Sequence, residues 1–346
     1  MKDFQRYILP DTATIKDALI ALNNLSADIQ TLFVVNNSYR MIGSLTDGDI
    51  RRGLIRGLQV TNNIKEIIQH EFKFIFEYDK DVSAVKEIRE SDIELLPCLN
   101  ENRQIVKVYN LKKLKSLLPV DAVLMAGGKG ERLRPLTDKT PKPLLKVGEK
   151  AIIDYNVEAL ISYGIENINV TTNYLGEQIE AHYSKPVDGV RINCVKEPKY
   201  LGTIGSIKFV ENFTNDMILV MNSDLFTNID YEDFFLHFKE HKADMSVAVV
   251  PYSITVPYGI FDLDGRNIKG IKEKPTYNYY ANAGIYLIKK EIINLIPNNV
   301  FYNATDLMEE LIKINRKVIR FPLTGYWIDI GKYEDYKKAQ DLVKHL

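Results

Sequence analysis

Residues 122–134 read Ala-Val-Leu-Met-Ala-Gly-Gly-Lys-Gly-Glu-Arg-Leu-Arg: a short apolar strand running into a turn with three glycines among four residues, then two arginines. Glycines without a Cβ let backbone approach a ligand closely and turn N–H groups toward an anion. Arg132, Arg134 and, further on, Lys139, Lys142 and Lys146 add positive charge. The pattern is that of a phosphate loop, but of neither common kind. A Walker A loop ends in Gly-Lys-Ser/Thr, which is absent here. The dinucleotide fingerprint needs a third glycine opening a helix; Leu133 stands there, and Pro135 and Pro141 prevent a long helix from following.

Outward from this loop, short apolar runs alternate with amphipathic ones. Strands are expected at Ala122–Met125, Ile168–Thr171, Ile192–Val195, Ile218–Met221, Met245–Val250 and Gly284–Ile288. Helices are expected at Ile152–Tyr163, Leu175–Tyr183, Tyr231–His241 and Ala304–Ile314. The alternation predicts an α/β domain over residues 119–346, with a mostly parallel, Rossmann-like sheet covered on both faces. Ligands of such sheets sit beyond the carboxyl ends of the strands, where the glycine-rich loop falls.

Before Leu118-Pro119 the pattern differs. Two segments, 1–60 and 61–118, share an order of elements. The first has Thr14-x-x-Asp17 as a helix cap, Ile15, Ala18, Leu19 and Leu22 at helical spacing, strands at Thr31–Val35 and Met41–Leu45, and a helix in TDGDIRRGLIRG. The second has a helix around Val82–Arg89, strands at Leu95–Leu99 and Ile105–Tyr109, and a closing helix at Leu111–Leu118. This repeat resembles a tandem pair of CBS domains, most specifically at Gly43-x-x-Thr46-x-x-Asp49. The resemblance implies a regulatory nucleotide site at Thr46 and Asp49; the second copy lacks both positions. The alternative is a purely architectural module.

Composition bounds the partners. Of 346 residues, 45 are Lys or Arg and 46 Asp or Glu, a formal net charge of −1, so no global basic field draws the chain to nucleic acid or membrane. Two cysteines, Cys98 and Cys194, make no disulfide framework and no metal-ligand spacing. The N-terminus lacks the apolar core of a signal peptide, and no apolar run reaches the roughly 18 residues that span a bilayer. A cytoplasmic protein is expected, with self-association through the front domains open.

Gly127-Gly128-x-Gly130-x-Arg132 and Pro141-Lys142-Pro143 resemble the signature of the sugar-1-phosphate nucleotidylyltransferases, whose fold is GT-A-like. Ordered matches continue at Glu197-x-x-x-Leu201-Gly202-Thr203, Asn222-Ser223-Asp224, Tyr258-Gly259, Glu273-Lys274-Pro275, Asn282-Ala283-Gly284 and Trp327-Ile328-Asp329. The resemblance implies attack of a sugar-1-phosphate oxygen on the α-phosphorus of a nucleoside triphosphate, releasing pyrophosphate. The nucleophile is already an anion, so no general base is required, which suits a chain whose five histidines lie in no motif. It further implies Asp224 and Asp329 as Mg²⁺ ligands, and Arg132 and Lys142 as the catalytic cations. Ala126, Gly127, Gly128, Gly130, Glu197, Gly202 and Thr203 then hold the nucleotide. Tyr258, Gly259, Glu273, Lys274 and Asn282 hold the sugar phosphate.

A carboxylate at Glu197 only accepts hydrogen bonds, and guanine offers two adjacent donors, which favours GTP. UTP, dTTP and CTP remain alternatives on this fold, as does, from another class, a non-catalytic nucleotide sensor. The order of parts resembles guanylyltransferases of bacterial legionaminic acid synthesis, which implies glucosamine 1-phosphate as acceptor. No single residue separates it from mannose, heptose or glucose 1-phosphate.

Overall fold

The computed structural model describes residues 4–25 and 29–345. The chain divides into two compact units, Met1–Leu118 with Ser162–Gly164, and Pro119–Ile161 with Ile165–Leu346.

The front unit holds two small sheets of the same design. The first contains β1 (Ile8–Pro10), β2 (Thr31–Val35) and β3 (Met41–Thr46), with helices α1 (Ile15–Asn24) and α2 (Asp47–Ile55). The second contains β4 (Ile75–Phe76), β5 (Leu95–Leu99) and β6 (Ile105–Asn110), with α3 (Val82–Glu90). In both, the first strand runs parallel to the middle one and the third antiparallel to it. Thr14 caps α1 as expected: its hydroxyl accepts from the Asp17 N–H at 3.2 Å, and the Asp17 carboxylate takes the Thr14 N–H at 2.8 Å. The segment after α2 returns to the first sheet. Ile64, Ile67 and Ile68 pack with Leu32, Leu45 and Ile50, so the first core extends past residue 60.

The closing helix expected over Leu111–Leu118 is absent; those residues form turns. The Asn110 side chain accepts from Lys112 N at 3.0 Å and Lys113 N at 3.3 Å, an Asx turn that competes with helix propagation. Leu117 and Leu118 are then buried from an irregular segment.

The second unit is built on a seven-stranded sheet. In chain order its strands are β7 (Asp121–Ala126), β10 (Ile168–Thr172), β11 (Ile192–Lys196), β12 (Met217–Asn222), β14 (Met245–Thr255), β17 (Thr276–Lys289) and β18 (Val318–Pro322). Between them lie the small pairs β8 (Lys146–Val147) with β9 (Lys150–Ala151), β13 (Leu225–Thr227) with β19 (Trp327–Asp329), and β15 (Ile260–Asp264) with β16 (Asn267–Lys272). The spatial order is β11-β10-β7-β12-β17-β14-β18. β17 alone runs antiparallel to its neighbours, so the sheet is mixed but mostly parallel. Helices α4 (Ile152–Ser162), α5 (Gly176–His182), α6 (Tyr231–Glu240), α7 (Ala304–Lys313) and α8 (Tyr333–Val343) complete the unit. Every strand and helix expected here is present; β18, α8 and the β15–β16 hairpin are additional.

The central strands are buried on both faces, as near-continuous apolar runs require. Val123, Val220, Tyr286 and Val247 meet Ile204, Ile207 and Leu307 in one core. Connections leave β7 for β10 on one side, and the chain later returns to β12 on the other. The carboxyl ends of β7 and β12 therefore flank a topological switch point, where a crevice opens.

The start of β7 is pinned by a buried charge. Asp121 is 0% exposed and accepts from Thr214 N (2.6 Å), Thr214 Oγ1 (2.9 Å), Asn215 N (3.0 Å) and Asn215 Nδ2 (2.6 Å). This fixes the loop that feeds β12. Asp121→Ala leaves those donors without an acceptor, and we expect a loss of about 2–4 kcal/mol in urea unfolding of the full chain; a loss under about 1 kcal/mol would contradict the pinning role.

Candidate active site

A cleft of about 660 Å³ opens at the switch point. Its walls are the ends of parallel strands: Met125 and Ala126 from β7, Asn222 from β12, Thr171 from β10, and Glu197 just past β11. Of the residues expected to bind nucleotide, metal or phosphate, Ala126, Gly127, Gly128, Gly130, Arg132, Lys142, Glu197, Gly202, Thr203, Asp224 and Asp329 all line it.

The glycine turn is shaped by steric necessity. A Cβ on Gly127 would lie 2.0 Å from Glu197 Oε1. Gly130 adopts φ +63° and precedes a short helical turn over Glu131–Leu133, where a side chain would press on Thr137 and Lys142. Thr137 Oγ1 donates to the Gly130 carbonyl at 2.9 Å and closes the loop.

Asp224 follows β12 and Asp329 ends β19, 105 residues later. The β13–β19 pair brings them together: Leu225 is registered against Asp329, and Ile330 N donates to the Asp224 carbonyl at 3.2 Å. The pair sits over a small core of Phe226, Ile330, Ile152 and Ala339, the last from α8. Tyr155 packs edge-on against Phe226 at 5.0 Å and Tyr326 stacks on it at 5.3 Å. α8 is tied down in turn, with Tyr336 Oη and Gln340 Nε2 both donating to the Lys146 carbonyl, at 2.6 and 2.7 Å.

Lys142 supplies the balancing charge. Its ammonium pairs with Asp224 Oδ2 and lies 3.9 Å from Asp329 Oδ1. Desolvation, and then the neighbouring Asp224 charge, hold the Asp329 carboxyl above the usual carboxylate range, against the pull of Lys142 and Arg132. Asp224 Oδ1 is buried with no hydrogen-bond partner. Two adjacent carboxylates with an orphaned oxygen form a hard-oxygen donor set that suits a divalent cation completed by waters and substrate phosphates. Arg132 lies over Gly331, its Nη2 3.1 Å from where a Cβ would stand.

Glu197 is 2% exposed and accepts the Leu201 N–H at 3.2 Å. Burial pushes its carboxyl up to about 7, a rise that the Leu201 hydrogen bond only partly opposes. Thr203 and Asn303 hold the following turn: Thr203 N donates to Asn303 Oδ1 at 3.3 Å.

Tyr258, Gly259, Glu273, Lys274 and Asn282 do not line this cleft. Tyr258 is exposed, Glu273 lies beside Gly259, and Lys274 sits in a turn with φ +43°. The Asn282 side chain is used within β17, donating to Tyr286 Oη at 2.8 Å and accepting from Gly284 N at 2.9 Å. In the front unit, Thr46 and Asp49 begin α2. The Asp49 Oδ2 takes Thr46 N (2.9 Å) and Oγ1 (2.6 Å), while Oδ1 takes Arg52 Nη2 (2.5 Å) and Gln69 Nε2 (2.8 Å). Both oxygens of this 3%-exposed carboxylate are spent on the helix start and its neighbours. Tyr200 and Ser206 also line the cleft and were missed in the sequence. Tyr200, inside the Glu197–Gly202 motif, packs against Phe301 at 5.8 Å between ring centres; its place in that motif was the available signal.

Residues 121–345 match the family described as Nucleotidyl transferase. The chain belongs to that family. It is 29% identical over 229 residues to D-glycero-alpha-D-manno-heptose 1-phosphate guanylyltransferase of Aneurinibacillus thermoaerophilus, covering 65% of this chain and 99% of that protein. It is 31% identical over 228 residues to mannose-1-phosphate guanyltransferase of Pichia angusta, covering 62% of this chain and 61% of that protein. Among solved structures, HddC from Yersinia pseudotuberculosis complexed with GMP-PN is similar at 26% identity and a TM-score of 0.51, covering 65% of this chain and 99% of that one. The nucleotidyltransferase is thus the rear unit. Among the described residues no helix is long and apolar enough to cross a membrane.

Asp224→Asn keeps the side-chain size and removes the charge opposite Lys142. We expect nucleotidyl transfer to fall by about a hundredfold or more with cooperative unfolding retained. A folded Asp224→Asn enzyme with near wild-type turnover would show that this carboxylate is not needed.

Proposed function

We propose that this chain is a guanylyltransferase that moves GMP from GTP to a sugar 1-phosphate and releases pyrophosphate. The observation that carries the reading is the cluster of Lys142, Asp224 and Asp329 at the switch point, with Arg132 beside it and a buried carboxylate, Glu197, under the glycine turn. The names of the guanylyltransferase relatives support it.

The chemistry needs no proton transfer. An oxygen of the sugar phosphate attacks the α-phosphorus, a new P–O bond forms, and the bond to the bridging oxygen of the β-phosphate breaks with its electron pair leaving on pyrophosphate. The obstacle is the meeting of two polyanions, so charge and position supply the rate. A divalent cation such as Mg²⁺, held by Asp224 and Asp329, would neutralise charge on the α-phosphate. Lys142, already between the carboxylates, places its ammonium where the incoming phosphate must pass. Arg132 presents two N–H donors to the leaving oxygens. The backbone N–H groups of Gly127–Gly130 would hold the remaining phosphates.

Glu197 sets the base. Ionised, it accepts the N1–H and N2–H₂ donors of guanine; uracil and thymine offer one ring donor between carbonyls, which a carboxylate repels. For the acceptor we favour glucosamine 1-phosphate, on the order of the two units along the chain. Heptose and mannose 1-phosphates are the second reading, favoured by the relatives' names. Pyrophosphate release with glucosamine 1-phosphate, compared across GTP, UTP, dTTP, CTP and ATP, tests the base; the same assay with GTP and each sugar phosphate tests the acceptor. Preference for a triphosphate other than GTP would remove the base assignment.

The protonation of Glu197 makes a second test. Burial pushes its carboxyl up to about 7, so acid protonates it and spoils one acceptor oxygen. KM for GTP is expected to rise as pH falls from 8 to 6, by about tenfold per unit below the midpoint at the limit, with kcat changing less. Glu197→Gln should flatten this dependence and weaken GTP selectivity. A KM for GTP constant over that range would detach Glu197 from the base.

For the front unit we propose a tandem CBS pair. With both Asp49 oxygens in use, a ribose at Thr46 and Asp49 would have to displace Arg52 or Gln69, which favours an architectural role over a nucleotide site. A rise in thermal stability of the full chain on adding ATP or AMP, lost in Asp49→Ala, would reverse that preference.

A further inference from the structure

The sheet of the rear unit carries an uncovered arm. β14 pairs with β18 only from Met245 to Val249, and β17 pairs with β12 only from Ile285 to Lys289. Beyond those limits the two strands continue alone as a ribbon through Thr255 and Thr276. The β15–β16 hairpin follows from its end.

The outer part of the ribbon has one apolar face; on the other, Tyr280 lies opposite Pro251 under the Arg320 guanidinium, 4.1 Å away. Register places Tyr252 against Tyr279 and Ile254 against Tyr277, so all four share one face. Ser253 against Asn278 and Thr255 against Thr276 share the other, joined by side-chain hydrogen bonds of 2.7 and 3.0 Å. The hairpin repeats the design, with Phe261 against Ile271 and Leu263 against Ile268 on one face. These eight apolar side chains are 36–62% exposed. Two-stranded ribbons are marginal in water without something packed on the apolar face. Four of these groups are aromatic, at roughly 150–250 Å² each when fully buried, and four are smaller aliphatic ones; at about half-exposure they leave on the order of 600 Å² uncovered over ribbon and hairpin together. That reaches the lower end of what one partner contributes to a standard stable interface, and the upper end of a monomer's largest patch.

We propose that this arm is a homodimer interface, in which the aromatic face of one copy's ribbon and hairpin packs on the same face of a second copy. A two-fold axis makes one patch its own partner, and each copy supplies one layer of a two-layer sheet whose polar faces point outward. The available area reaches the lower end of what such a dimer needs. The flanking charges favour protein over lipid: Asp262 and Asp264 alternate with Lys269 and Lys272, and Asp264 pairs with Lys269 at 2.8 Å, so no basic field faces an anionic membrane.

Sedimentation of the full chain tests the proposal, with Tyr252→Glu plus Tyr279→Glu as the variant. Both side chains are exposed, and circular dichroism checks that the variant folds. The double substitution is expected to halve the particle mass where the arm alone joins the two copies, and in every case to abolish the concentration-dependent hydrogen-exchange protection of the arm. Hydrogen exchange of the wild type provides a second measurement that needs no variant: amides of 250–256 and 276–282 should be protected at high protein concentration and exposed on dilution. A monomeric wild type, protection of these amides independent of concentration, or a folded variant that keeps both the mass and the concentration-dependent protection each overturns the proposal. So does a monomer that binds phosphatidylglycerol vesicles through this face, which would assign it to a membrane.

Discussion

Two carboxylates set side by side repel each other, and they repel more as water is removed. Holding Asp224 and Asp329 together therefore requires both a rigid scaffold and a positive charge. The scaffold is the β13–β19 pair, seated on Phe226, Ile330 and Ala339 and braced by α8. The charge is the Lys142 ammonium. The fold thus invests its last helix and a strand pair spanning about a third of the chain in one electrostatic arrangement. Asp224 Oδ1, buried without a partner, is what that arrangement leaves open. An orphaned acceptor of this kind is costly unless something completes it, and this one stands at the switch point of the sheet.

The remaining site residues follow from strand direction. β10, β7 and β12 run parallel, so their carboxyl ends converge and residues distant in sequence meet. Glu197 arrives one strand further out and is buried beneath the glycine turn, because Gly127 has no side chain to exclude it. A Cβ at that position would occupy the place of the carboxylate oxygen. Loop and carboxylate are therefore packed as one unit, with the desolvated Glu197 directly against the glycine turn.

Much of this was legible in the sequence because the signals were local or carried by dense apolar runs. Most of the six expected strands could be read because both faces of their cores are buried; β11, at the sheet edge, was read from its short apolar run. The resemblance of the loops to a known family put eleven residues into one cleft. What escaped did so for physical reasons. Residues 111–118 have helical spacing of leucines, but the Asn110 side chain captures the first amides and makes a turn. Pro251 looks like a strand end, yet β14 continues to Thr255: past Pro322 its outer edge has no partner, and an unpaired edge tolerates a residue without an N–H. Tyr200 offered only its position in a motif, since an aromatic in a loop carries no period to read.

The arm explains why the expected sugar-phosphate residues stand apart from the cleft. Tyr258 and Gly259 lie in the link from the ribbon to the hairpin, and Glu273 and Lys274 in the link back, with Val256 N bonded to the Pro275 carbonyl at 3.0 Å between them. Links of a few residues between two amphipathic sheets turn as those sheets turn. On the proposed function, the groups that grip the sugar phosphate are thus carried by the part of the sheet with the least packing around it, while those that hold the nucleotide are carried by its most buried strands. Glu273 and Lys274 sit where the hairpin leads back into the ribbon, so their distance from the cleft follows from where the paired strands carry the chain.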